Sequence, residues 1–182
     1  MPHHTRDGSS SDRGDGSDGV EHVDDGRYVL VDGRRWRASD PAIPDALRAE
    51  LVSELMAARR AVRTDPGTAR PRVHDAKVAL GERGHPWWED ADDQARRERI
   101  AATFRVLLRH RDPRSACASD IARAVGGQGW RDLMDEVRAV AAALAADGTL
   151  VVTQGGQPVD VRTARGPVRV VAGPRLGAPS GS

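Results

Sequence analysis

The order of the apolar periodicities in the C-terminal half constrains the fold more than any other feature of the sequence. Apolar residues recur at helical spacing over residues 96–110, over 119–125 and over 130–147. The pair Gly126-Gly127 follows the second of these segments, as is common at the end of a helix. The pattern therefore predicts three consecutive helices, the third of which begins near Trp130.

Two short β-rich runs follow the predicted helices. They are Leu150–Thr153 and Val168–Val171, and residues 154–157 after the first run carry a glycine pair that suits a turn. Three helices followed by a two-stranded hairpin is the order of a winged helix-turn-helix domain. Many winged helices bind DNA, although a fold alone does not establish a function.

A second set of elements is predicted nearer the N-terminus. Asp32-Gly33 lies between the strand-like runs Tyr28–Val31 and Arg34–Arg37, and both turn residues tolerate positive φ, so a β-hairpin is expected. Helical spacing of apolar residues predicts a helix over 44–62 and a shorter one over 72–82. This region is therefore predicted as a small hairpin with two helices.

Charge and turn residues divide the chain into four parts. Residues 1–26 contain six Asp and one Glu against two Arg and very few apolar side chains, which predicts a disordered acidic tail. The β-hairpin and two-helix module over 27–94 and the winged-helix domain over 95–173 follow, and 174–182 is predicted as a disordered tail. The predicted fold class is α+β.

The composition excludes several classes of protein. Cys117 is the only cysteine, which excludes an intramolecular disulfide framework and a cysteine-based zinc finger. Since no run of about 18 apolar residues and no apolar N-terminal signal is present, we expect a cytoplasmic protein without a membrane role. Lys77 is the only lysine among 28 basic residues, so arginine is the default cation of this chain.

Candidate catalytic residues are few. His74-Asp75, and His85 close to two glutamates, are the best acid–base groups in the sequence. Neither is accompanied by a nucleophile motif, a metal-binding helix motif or a glycine-rich phosphate loop. We therefore predict a non-enzymatic protein that uses no metal and no cofactor.

The tryptophans allow structural and functional interpretations. Trp87 and Trp88 either stack on a base or flat ligand or, as we favour in a protein with few large side chains, serve packing. In that interpretation one ring packs under the two helices and the other caps the boundary between the domains. Trp130 is spaced to lie on the buried face of the third helix. Its replacement by alanine is then expected to cost about 3–5 kcal/mol of stability.

The C-terminal half also resembles a known family over residues 98–172. The matching residues are Ser119-Asp120-Ile121-Ala122-Arg123, Trp130-Arg131-Asp132-Leu133-Met134, Val137-Arg138, Gly148-Thr149-Leu150-Val151-Val152-Thr153-Gln154-Gly155, Pro158-Val159-Asp160 and Arg165-Gly166-Pro167-Val168-Arg169. They resemble a bacterial domain of unknown function with a winged-helix-like pattern. Residues 27–90 are similar to segments fused to this domain in other bacterial hypothetical proteins. The resemblance implies a fold and no established activity.

The predicted third helix is poorly suited to read bases. Its solvent side would present Arg131 and Arg138 together with the carboxylates of Asp132, Asp135 and Glu136. Carboxylates repel phosphates, while bases are usually read by Arg, Lys, Asn and Gln. We therefore expect contact with nucleic acid through other elements, with little sequence specificity.

The predicted wing and first helix carry more positive charge. The residues predicted to contact nucleic acid are Gln154, Gln157, Arg162, Arg165, Arg131 and Arg138, and the first helix adds Arg96, Arg97, Arg99, Arg105, Arg109 and Arg111. We expect duplex DNA to be the partner, bound mainly through its backbone. The alternative is a winged helix that binds a protein partner and no nucleic acid. The oligomeric state does not follow from the sequence.

Overall fold

The computed structural model describes residues 21–177, which begin with a three-stranded antiparallel sheet. Its strands β1 (Glu21–Val23), β2 (Tyr28–Val31) and β3 (Arg34–Arg37) lie in the order β1-β2-β3. The predicted hairpin is confirmed, with Asp32 and Gly33 at φ 51° and 71° in the turn between β2 and β3. The mixture of helices with two antiparallel sheets is α+β, as predicted.

Strand β1 is a difference from the sequence-based expectation of a disordered tail over 1–26. Residues 21–23 pair with β2, and Asp24, Asp25 and Gly26 form the connecting turn with positive φ. An edge strand is held by backbone hydrogen bonds, so its polar side chains did not reveal it. The remainder of the predicted tail, residues 1–20, lies outside the described residues.

Helices α1 (Asp45–Ala61) and α2 (Pro66–Ala79) follow the sheet. The second helix begins six residues before the predicted start at residue 72. The Asp65 carboxylate caps it by accepting a hydrogen bond from the Thr68 backbone N–H at 3.3 Å, and Pro66 occupies the first turn, where its missing N–H costs nothing. Asp65 and Pro66, which lie between the two helices, therefore begin the second helix.

Helix α3 (Asp93–Arg111) is the central element of the structure. The Asp92 side chain caps it by accepting from the Ala95 backbone N–H at 2.8 Å. The helix packs against α1, α2 and the two later helices, and its residues Phe104 and Leu107 are fully buried. The predicted bounds of 96–110 are confirmed to within three residues.

The chain then forms strand β4 (Ala116–Cys117), helix α4 (Ala118–Gly126), a 3₁₀ segment (Gly127–Leu133) and helix α5 (Met134–Ala146). The third helix of this half thus begins at Met134 and not near residue 130. The 3₁₀ segment begins at Gly127, whose φ of 51° favours glycine and where an added Cβ would lie 3.1 Å from the Ala42 Cβ.

The second sheet contains β5 (Leu150–Gln154), β6 (Gln157–Pro158) and β7 (Arg169–Ala172). All pairs are antiparallel, and the order is β4-β7-β5-β6. The two long strands agree with the predicted runs to within two residues. The short strands β4 and β6 were not predicted, because two residues give no periodicity.

One hydrophobic core crosses the predicted boundary between residues 94 and 95. Leu51, Leu55 and Leu80 belong to the same buried cluster as Phe104 and Val137. At the other end Leu176 is buried, so the chain remains packed beyond the predicted end of the domain at residue 173. No helix among residues 21–177 is long and apolar enough to span a membrane.

Candidate nucleic-acid interface

The wing loop, residues 159–168, connects β6 to β7 and carries two of the predicted contact residues, Arg162 and Arg165. The side chain of Gln154, at the end of β5, donates hydrogen bonds to the backbone of this loop. Its Nε2 donates to the backbone oxygen of Arg165 at 2.7 Å and to that of Pro167 at 3.3 Å. Gln154 was predicted to face nucleic acid, but its amide is directed toward the protein backbone.

Arg138 of α5 holds the same loop from the other side. Its guanidinium donates to the backbone oxygens of Ala164 at 3.2 Å and Gly166 at 2.8 Å, with Val161 O at 3.5 Å. Like Gln154, this predicted contact residue is used inside the structure. Together the two side chains fix the backbone of the wing loop, which sequence reasoning did not anticipate.

The outer side of the wing is exposed and cationic. Arg162, Arg165 and Arg169, the wing arginines, are exposed, as is Gln157 in β6. Arg169 donates to Ser115 Oγ at 3.4 Å. Within residues 21–177 no carboxylate lies within ion-pair distance of any wing arginine. These guanidinium groups are therefore available to an external anion.

The arginines of α3 are placed differently. Each of the six named from the sequence lies within 4 Å of a carboxylate oxygen: Arg96 and Arg97 at Glu136, Arg99 at Asp40, Arg105 and Arg109 at Asp75, and Arg111 at Glu50 and Asp120. The N···O distances run from 2.5 to 3.5 Å. Their charge is thus paired with carboxylates of neighbouring elements, in partly buried contacts except at Arg97, whose side chain is 62% exposed.

The exposed face of α5 contains no side chain suited to reading bases. Asp135, Ala139, Ala143 and Ala146 are its exposed members, while Glu136 and Arg138 are engaged in the contacts described above. Alanine methyl groups offer no hydrogen bond to a base edge. Of the exposed side chains on α5, only Asp135 can therefore form a hydrogen bond.

Arg131 lies before α5 and belongs to a stack that the sequence did not reveal. The guanidinium of Arg131 lies 4.6 Å from the Trp130 ring centroid, and that of Arg123 lies 4.7 Å from the same ring. Both arginines are exposed and Trp130 is half-buried. The seven-residue separation of Arg123 and Trp130 gives no signal in sequence, because the chain turns between them.

The segment from α3 to β7 has a family match. Residues 97–173 match the family described as "Protein of unknown function (DUF3253)". This part of the chain, hereafter the DUF3253 match, is similar to a family whose function is not established, and its bounds agree with the resemblance noted over 98–172. No curated protein matches the chain.

Ion pairs attach the DUF3253 match to the N-terminal elements and shift pKa values. The Arg111 guanidinium donates to Glu50 at 2.6 and 2.7 Å and to Asp120 at 2.7 Å. The hydrogen bonds from Arg111 lower the pKa of Glu50 below its ordinary value of 4.5, and the bond to Glu50 raises the pKa of Arg111. The triad joins α1, α3 and α4.

A pH dependence follows from Glu50. Because its folded-state pKa is lowered, its contribution to stability is complete above about pH 4.5 and is lost as the pH falls through the folded-state value. We expect Glu50→Gln to be less stable than the wild type at pH 7, with the difference shrinking below pH 4.5. Urea denaturation at several pH values measures it, and a difference that stays constant down to pH 3 would contradict the assignment.

The histidines among the predicted acid–base groups differ in their exposure and in their partners. His74 is exposed, with Nδ1 3.2 Å from an Arg83 nitrogen and Nε2 3.9 Å from Glu98. His85 is half-buried, and its Nε2 has no hydrogen-bond partner among the described residues. No group of three or more potential metal ligands occurs within residues 21–177.

The adjacent tryptophans are packed against the protein. Trp87 Nε1 donates to the Ala38 backbone oxygen at 3.0 Å, and its ring lies against Gly81, where an added Cβ would be 3.0 Å from Trp87 Cδ1. Trp88 lies with its ring centroid 5.5 Å from that of Tyr28. Both rings are thus half-buried and contact residues of the N-terminal elements.

Proposed function

We propose that this chain is a non-enzymatic, cytoplasmic winged-helix protein whose wing binds the backbone of duplex DNA with little sequence specificity. The order helix α3, strand β4, helices α4 and α5, and strands β5 and β7 supports the winged-helix assignment. So does the sheet, in which β7 lies between β4 and β5. Strand β4 and the two long strands β5 and β7 thus belong to one sheet.

The single observation that carries the proposal is the state of the wing arginines. Arg162 and Arg165 are exposed and without carboxylate partners among residues 21–177, on a loop whose backbone is fixed by Gln154 and Arg138. A fixed loop loses less conformational entropy when its side chains bind a ligand. Arginine also binds phosphate groups in a bidentate geometry. The wing is therefore prepared for phosphate contacts.

The same structure argues for low specificity. The exposed side of α5 carries alanines, and the carboxylates of Asp132 and Asp135 precede and begin that helix. Phosphate contacts position a protein on DNA without reading sequence. The wing would consequently bind many duplexes with similar affinity, and the paired arginines of α3 would add little.

Removal of the two loop arginines tests this function. The double variant Arg162→Ala/Arg165→Ala is expected to bind any duplex more weakly, and by a similar factor for unrelated sequences. The log–log dependence of affinity on salt should flatten by about 0.9 for each lost phosphate contact. Fluorescence anisotropy with two labelled duplexes of different sequence, from about 50 to 200 mM salt, measures both quantities.

A matched control is provided by Arg63→Ala/Arg70→Ala, which removes the same charge from exposed positions of the N-terminal module. Its affinity and salt slope should remain close to those of the wild type. An equal loss of affinity in both double variants would show that the effect depends on net charge and not on the position of Arg162 and Arg165. Absence of duplex binding by the wild type at about 50 mM salt, where backbone contacts are strongest, would reject the function.

A second candidate function is binding of a protein partner through α5. The observation that favours it is the row Ala139, Ala143 and Ala146, which are exposed at helical spacing and form a smooth apolar strip. A partner helix could approach such a strip closely because its side chains are small. This alternative becomes the leading one if the wild type binds no duplex.

A further inference from the structure

One face of the N-terminal sheet borders an open cleft of about 980 Å³ that the wing does not touch. Residues His22, Val29 and Trp36 are neighbours across the three strands and all line the cleft. Val31 and its partner Arg34 extend the same face. Side chains from α1 and α2 form the opposite wall, so the cleft is bounded by a sheet and two helices.

The floor of the cleft is apolar and accessible. Val31 is 44% exposed and Trp36 is 46% exposed, and they are two of the three large apolar side chains that remain exposed among residues 21–177. Concave sites that combine an aromatic or apolar floor with a few charged groups are typical of small-molecule binding, at volumes of roughly 300–1,000 Å³. The volume of this cleft lies at the upper end of that range.

The walls are predominantly cationic. Five cationic side chains line the cleft together with three carboxylates: Arg34, Arg37, Arg48, Arg59 and Lys77 against Asp25, Asp32 and Glu82. Arg34 and Arg59 are exposed and pair with no carboxylate of the described residues. The cleft therefore has guanidinium groups to offer an anion.

Lys77 lies beside the aromatic floor of the cleft. Its Nζ lies 5.1 Å from the Trp36 ring centroid and 3.6 Å from Glu82 Oε2, and Glu82 in turn accepts a hydrogen bond from Ser39 at 2.9 Å. The ammonium is attracted to the ring face that it approaches. The only lysine of the chain thus sits beside the largest exposed aromatic ring.

We propose that this cleft binds a small planar aromatic molecule that carries an anionic group. The ring stacks on Trp36 beside Val29 and Val31, and Arg59 and Arg34 receive the anionic group. An uncharged ring would leave the guanidinium groups without a counter-ion, and an anion without a ring would leave the apolar floor in water. The site is separate from the wing and does not depend on DNA binding.

Isothermal titration calorimetry tests the proposal with two planar aromatic anions, adenosine 5′-monophosphate and 8-anilinonaphthalene-1-sulfonate. Adenosine lacks the charge of the first probe, and ribose 5-phosphate lacks its ring. We expect at least one aromatic anion to bind at a single site, and the fragments to bind more weakly. Trp36→Leu should weaken binding about tenfold, the scale of one lost stacking contact.

Arg59→Gln should weaken binding about tenfold as well, because it removes a hydrogen bond to a charged group. Arg60→Gln is the matched control, since Arg60 is the exposed neighbour of Arg59 on α1 and does not line the cleft. Its affinity should stay within a factor of about two, as surface changes have small effects. Thermal melting of each variant establishes that it is folded.

Three results would overturn the proposal. The first is that neither aromatic anion binds to the wild type. The second is that the wild type, Trp36→Leu and Arg59→Gln all bind with the same affinity, and the third is that ribose 5-phosphate binds as tightly as the nucleotide. Because Trp36 and Arg59 are both exposed, their variants should fold. The position of Arg59 on a helix gives a second test that is independent of the sheet.

Discussion

Phe104→Ala should lower the free energy of unfolding by about 3–5 kcal/mol, the range for a large aromatic side chain removed from a core. Phe104 lies in the middle of α3, is 0% exposed and is the largest of the fully buried side chains in residues 21–177. Helix α3 packs against α1, α2, α4 and α5. A cavity left by the Phe104 ring therefore lies in the core that these helices share. Equilibrium denaturation in urea measures the change.

Trp130→Ala is the informative comparison for Phe104→Ala. The sequence pattern predicted a buried tryptophan with a loss of the same size. In the structure Trp130 is half-buried at the edge of the core, between the guanidinium groups of Arg123 and Arg131. We therefore expect a loss below about 2 kcal/mol. Equal losses in the two variants would contradict the placement of Trp130.

Asp75→Ala should have a comparably large effect, about 3 kcal/mol or more, because it removes one side of a buried ion pair. The Asp75 carboxylate is 8% exposed and lies 2.9 Å from Arg105 and 2.6 Å from Arg109. The substitution leaves two partly buried guanidinium groups without their counter-ion and removes the ion pairs that join α2 to α3. Urea denaturation at neutral pH measures the loss.

The control for Asp75→Ala is Asp132→Ala, which removes an exposed carboxylate that forms no ion pair with the described residues. We expect its stability to remain within about 0.5 kcal/mol of the wild type. Asp75→Asn adds a second comparison, since it keeps the shape and removes the charge. Full stability of Asp75→Asn would show that hydrogen bonding, and not charge, holds the two helices together.

Local features of the sequence were sufficient for most of the elements. The Asp32-Gly33 turn requires positive φ at both positions, and the apolar spacing of α1 and α3 recurs every three or four residues, so hairpin and helices follow from short segments. The third helix was placed too early because Trp130 and Leu133 continue its apolar spacing. They lie instead in the 3₁₀ segment, which begins at Gly127 with a φ of 51°.

The structure places the predicted contact residues in two different situations. Gln157, Arg162, Arg165 and Arg131 are exposed. Arg138 and the amide of Gln154 instead bind backbone oxygens of the wing loop, at residues eleven to 28 positions away. Nothing local distinguishes an arginine that faces solvent from one that reaches a distant carbonyl.

The sequence by itself determined the local conformations, because turns, helix caps and apolar periodicity depend on residues within a few positions of one another. Only the tertiary structure decided which charges remain free. The α3 arginines Arg99, Arg105 and Arg111 meet carboxylates 30 to 61 residues away, at Asp40, Asp75 and Glu50. Such pairs form when helices dock, since burial favours a guanidinium beside a carboxylate over either group alone. The positive charge of the α3 arginines is therefore paired with carboxylates of the protein, even at the exposed Arg97, and the wing arginines are left without such partners among the described residues.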